Sequence, residues 1–110
     1  MELVEFLRQR LADDEAAAKA WLPFGNPDAA AREHIARHDP GRMLRDVEGG
    51  RRLVEQYEAM RVGAEAAAGT ILAGAAKVRL GAYEFALKCW ALRYADHPSY
   101  RPEWAPGSVA

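Results

Sequence analysis

The chain has little that would commit it to a familiar chemistry. It has a single cysteine, Cys89, which excludes an internal disulfide framework and fits a reducing compartment. It has no long apolar run: the longest uncharged stretch, Ala66 to Ala76, holds eleven residues between Glu65 and Lys77. Spanning a bilayer takes roughly 20. It has no excess of positive charge either. Fifteen Lys and Arg against sixteen Asp and Glu give a net charge of −1, which argues against a nucleic-acid or anionic-membrane partner. Glu2 and Glu5 stand where a secretory leader would carry its basic region, so none is expected and a cytoplasmic location is. No internal repeat or strand pattern is visible, and no glycine loop is spaced to cradle a phosphate.

What is present is helical. At 110 residues the chain is read as one domain, residues 1–110. The fold class is all-α: a small bundle of four helices, five if the last one splits, with an extended but ordered aromatic C-terminal tail. The first helix is expected from about Glu2 to about Leu22, where Leu3, Leu7, Leu11, Ala18 and Trp21 recur at helical spacing. Two prolines and a glycine in Pro23–Pro27 stop it. A short helix fits Asp28 to His38. Asp39-Pro40 then starts a third, with Asp accepting orphan N–H bonds and Pro in the first helical position.

That third helix should reach about Val62, with Met43, Val47, Gly50, Val54 and Tyr57 as its seam. Gly49-Gly50 inside it implies a bend or a close approach by another part of the molecule. The fourth helix is expected from near Ala64 to Tyr94, with a split near Gly69 or Gly74 giving the fifth. Its apolar residues, among them Ile71, Leu72, Val78, Tyr83, Phe85, Leu87, Trp90 and Leu92, point in several directions. Such a helix is either central or covered by a partner. The tail from Asp96 to Gly107 is rich in proline, and Tyr100 and Trp104 are expected to pack back on the helices, against Trp21 or Trp90.

Several segments resemble a family of small uncharacterised proteins of actinobacteria and their phages. These are His34-Ile-Ala-Arg-His38-Asp39-Pro40 with Arg42, Leu44, Arg45, Val47 and Glu48; the opening Leu3-Val-Glu-Phe-Leu-Arg8; and Tyr94-Ala-Asp-His-Pro-Ser-Tyr-Arg101 with Glu103-Trp104. The resemblance implies such an origin and no activity. Many members carry cysteines ahead of the final helix that suggest metal ligands; this chain has only Cys89.

Three sets of candidate site residues follow. His34 and His38, four apart, would share a helix face and could chelate zinc with His97; the simpler reading is that the imidazoles cap and pack the helix junction. Arg42 and Arg45 lie in the first turns of a helix and could hold an anion, although solvated pairs such as Arg42–Asp46 and Arg45–Glu48 explain them more simply. Tyr83, Leu87, Trp90, Tyr100 and Trp104 are the expected anchors for a protein partner or a homo-oligomer. Cys89 sits in an apolar helix and Ser99 and Ser108 in the tail, with no catalytic arrangement around them. The expectation is therefore a non-enzymatic interaction module without a cofactor, with a zinc-binding protein and a weak phosphate or nucleic-acid binder as alternatives.

Overall fold

The computed structural model describes residues 1–21 and 39–107. Among these, three helices pack together and no strand occurs. Helix α1 spans Leu3–Trp21, α2 spans Pro40–Ala67 and α3 spans Ala73–Ala91. Two short 3-10 turns, Leu92–Tyr94 and Pro102–Trp104, carry the tail. Among the described residues there are three helices, where four, or five with a split, are expected of the whole chain. The expected short helix from Asp28 to His38 lies outside the described residues.

Each helix forms for a local reason. Phe6, Leu7, Leu11 and Ala18 place one continuous stripe of α1 in the interior. At the start of α2 the Asp39 carboxylate accepts the Gly41 N–H at 3.2 Å, and Pro40 occupies the first turn, where a missing N–H costs nothing. The stripe Val47, Gly50, Val54 is buried.

The break between α2 and α3 falls later than the sequence suggests. Ala64–Ala67 continue α2 instead of opening the next helix, because alanine propagates a helix well. The chain turns at Gly69, whose φ of +77° lies in the left-handed region that other residues avoid. Thr70 fixes the turn: its hydroxyl donates to the Ala67 carbonyl at 2.6 Å and accepts the Leu72 N–H at 3.2 Å.

Helix α2 packs against both of the others. The core is a cluster of Phe6, Leu7, Leu11, Val47, Val54, Leu87, Ala91 and Trp104, so all three helices and the tail contribute to it. Gly50 lets them meet: a Cβ there would stand 2.5 Å from Cζ2 of Trp90 and 2.8 Å from Cδ2 of Leu11. The glycine therefore marks a close approach by side chains of both neighbours.

The core occupies only one end of the α2–α3 hairpin. Burial in α2 stops at Val54 and in α3 begins at Leu87. Further along, an apolar cleft of about 300 Å³ opens between the two helices, lined by Met60, Gly63, Ala64, Ala67, Leu72 and Ala76.

Candidate interaction surface

The tail corner joins α1 to the C-terminal segment through aromatic and polar contacts. The Phe6 ring meets His97 at 5.5 Å, Trp104 at 5.0 Å, and Tyr94 and Tyr100 at 6.1 Å. Edge and tilted geometries of this kind add to the gain from burial. Tyr94 donates its hydroxyl to Asp14 at 2.6 Å. Burial, and then that hydrogen bond, hold the Tyr94 phenol well above its usual pKa. Arg10 pairs with Asp13 at 3.0 Å and also reaches Nε2 of His97. The Ser99 N–H lies 3.0 Å from the other ring nitrogen of His97. The tail is thereby fastened to α1, and Tyr100 and Trp104 pack on Phe6 and on each other; the expected contact with Trp21 lies outside the described side chains.

Of the three histidines named as zinc ligands, only His97 is among the described residues; His34 and His38 lie outside them. Both nitrogens of His97 face protein donors, one of them a cation, which is a poor setting for a metal ion. Among the described residues no group of three His, Cys, Asp or Glu side chains converges.

Arg42 and Arg45 are exposed in the first two turns of α2, behind the Asp39 cap. The carboxylate expected to pair with Arg45 is engaged elsewhere: Glu48 binds Arg52 at 2.9 Å, while Arg51 reaches across to Glu15 on α1. Arg51 and Lys19 together hold the Glu15 carboxyl below its usual pKa.

The residues expected to anchor a partner turn mainly inward. Leu87 and Trp104 are core residues, and Tyr83 is half-buried. Trp90 fills the notch at Gly50, with the Arg93 guanidinium stacked 3.8 Å over its ring. Tyr100 packs on Phe6 and Trp104.

The exposed apolar surface is formed by other residues. Ile71, Val78, Phe85 and Leu92 are 98%, 75%, 57% and 46% exposed, and they recur every seven positions. Ala75, Ala82 and Cys89 fall between them and are exposed as well. At 100° per residue Val78, Ala82, Phe85 and Cys89 share the face of α3 opposite Leu87; Ile71 lies in the turn before the helix, Leu92 in the 3-10 turn after it, and Ala75 borders the α2–α3 cleft. Sequence reasoning saw only a helix apolar on several sides. The available signal was the spacing, since two interleaved heptads on one helix define two seams, an inner and an outer.

A model of a family of unknown function, DUF6221, matches residues 1–106. The chain belongs to that family. The match takes in all three helices and the tail through Trp104, so the family's unit includes both the core and the outer face of α3. No curated protein and no solved structure matches the chain. Family membership therefore supplies no activity, and the surface must be read from its own chemistry. No helix among the described residues is long and apolar enough to cross a membrane.

Proposed function

We propose that this protein is a small, non-enzymatic interaction module whose contact surface is the outer face of α3. The observation that carries this reading is the pair Val78 and Phe85, large apolar side chains seven apart on the outer face of α3 and mostly exposed, with Leu92 exposed in the turn just beyond. Scattered exposed apolar residues are ordinary, but large ones at heptad spacing, with small residues beside them on the same helix face, suit a surface that another helix covers. The tail and α1 support the same reading from the other side. Their aromatic and charged groups pin α3 by its inner face and leave the outer one free. The role is that of a cytoplasmic accessory protein, in keeping with the resemblance to actinobacterial and phage proteins and with the single reduced cysteine.

Placing a photo-crosslinking amino acid at position 85 tests the reading, with position 48 on exposed Glu48 of α2 as control. In the native cell, a polypeptide adduct at 85 and none at 48 is the expected result. No adduct at 85 removes the proposal.

A further inference from the structure

We infer that the cleft between α2 and α3 binds a free fatty carboxylate of medium length, with its acyl chain along the cleft and its head group on Arg79. The site is separate from the outer face of α3 and does not depend on it.

The space exists because the core ends early. Buried residues stop at Val54 in α2 and begin at Leu87 in α3. Between there and the Gly69 turn the facing residues are small: Gly63, Ala64 and Ala67 on α2, Ala75 and Ala76 on α3. Their side chains are too short to fill the gap, and about 300 Å³ stays open between the helices. That volume lies at the lower end of the range for ligand sites. It suits one slender molecule and not a two-chain lipid.

The lining sets the chemistry of that molecule. Met60 and Leu72 complete an apolar wall, and among the described residues that line the cleft only Arg79 has a polar side chain. An apolar trough with a single cation matches an apolar body with a single anion. Arg79 is exposed, and the residues one turn away on its own helix, Ala75, Ala76, Ala82 and Tyr83, bring no opposing charge. On α2, Glu58 and Glu65 are both engaged by Arg61. The guanidinium is therefore available, and its planar fork takes a carboxylate through two parallel N–H bonds.

Helix geometry sets the length. Leu72 and Arg79 are seven positions apart, roughly 10 Å along α3. An extended chain with carbon–carbon bonds of about 1.5 Å covers that distance with roughly eight to ten carbons.

Calorimetric titration of the full chain with saturated acids from hexanoate to tetradecanoate, each below its micelle-forming concentration, tests this. Full burial of a methylene tightens binding about fourfold, so in a half-open cleft the expected gain is about twofold per added carbon. The gain should stop at decanoate. Octanol should bind about tenfold more weakly than octanoate, the worth of a charge-assisted hydrogen bond, and Arg79→Gln should erase that difference. Gly63→Leu should abolish binding: Gly63 lies in the wall of the cleft with nothing within 4 Å of its Cβ position, so the new side chain enters open space. Circular dichroism should show both variants as helical as the wild type. No heat of binding with any acid would overturn the inference. So would equal affinity for octanol and octanoate, affinity that keeps rising through tetradecanoate, or undiminished binding by folded Gly63→Leu. A dimer in light scattering that Gly63→Leu breaks, with no acid bound, would give the cleft to a second copy and likewise overturn it. The crosslink at position 85 is read separately, so either conclusion can fail without the other.

Discussion

The indole of Trp90 occupies the notch created by Gly50. A Cβ on Gly50 would lie 2.5 and 2.6 Å from two of its ring carbons, closer than real Cβ contacts come. Leu11 closes the same notch from α1. This three-way meeting sets the distance between α2 and α3, and through it the side of α3 that faces the core.

Gly50→Ala is therefore expected to destabilise the fold by about 1–3 kcal/mol, the usual cost of overfilling a packed interior. The gain in helix propensity from losing a glycine, about 1 kcal/mol, works in the opposite direction. Gly49, with nothing within 4 Å of its own Cβ position, is the internal control. Gly49→Ala should be neutral or stabilising. Urea denaturation of the two variants compares them directly, and equal midpoints would show that the notch carries no packing constraint.

Trp104 holds the tail by burying its ring against Phe6 and Tyr100. Trp104→Ala should cost about 3–5 kcal/mol, as for other buried aromatic residues, and Trp104→Phe distinctly less. Amide hydrogen exchange across residues 95–107 provides a second readout, since loss of the anchor should unprotect the tail before the helices. A tail that stays protected in Trp104→Ala would place the anchoring elsewhere.

Stability should depend on alkaline pH through Tyr94. The folded state raises the pKa of this phenol above its ordinary value of 10.0, first by burial and then by the Asp14 hydrogen bond. A folded-state pKa above the unfolded one means that the native state holds its proton more tightly. The contribution is thus complete below about pH 10 and is lost as the pH rises beyond it. Tyr57, raised by burial and by Glu84, adds a second dependence of the same sign. Tyr94→Phe should flatten the decline between pH 9 and 11 without abolishing it. Denaturant titrations across that range check this, and an unchanged slope in Tyr94→Phe would refute it.

Gly69 closes the α2–α3 hairpin with a φ of +77° and has open space around it. Gly69→Ala should cost about 1–2 kcal/mol from backbone conformation alone, because no side chain would clash. Gly74→Ala, inside α3 and equally open, should be stabilising. A shared thermal shift of the same sign in both variants would contradict the conformational account.

The start of α2 could be read from Asp39-Pro40 and its seam from Val47, Gly50 and Val54, because capping and helical periodicity depend on neighbours within a few residues. The end of α2 could not be placed as well. Ala64–Ala67 suit either helix, and the turn depends on the Thr70 hydroxyl finding both the Ala67 carbonyl and the Leu72 N–H. The candidate anchor Leu87 and its neighbour Phe85, which is not one of the anchors, look alike in sequence: both are large, apolar and central in the same helix. One is in the core and the other is more than half exposed. The corner joining Arg10 to His97 and Tyr94 to Asp14 had no sequence signal, since the bonded partners lie 87 and 80 residues apart.

By itself, then, the sequence determined that these segments are helices, where α2 begins, and that α3 has apolar residues on opposite sides. Those properties arise from backbone hydrogen bonding and side-chain spacing within a few turns. Only the tertiary structure decided which side of α3 is core and which remains open. That choice depends on how Trp90 and Leu11 fit around Gly50 and on how the tail closes over Phe6, contacts between residues far apart in the chain that no local pattern encodes.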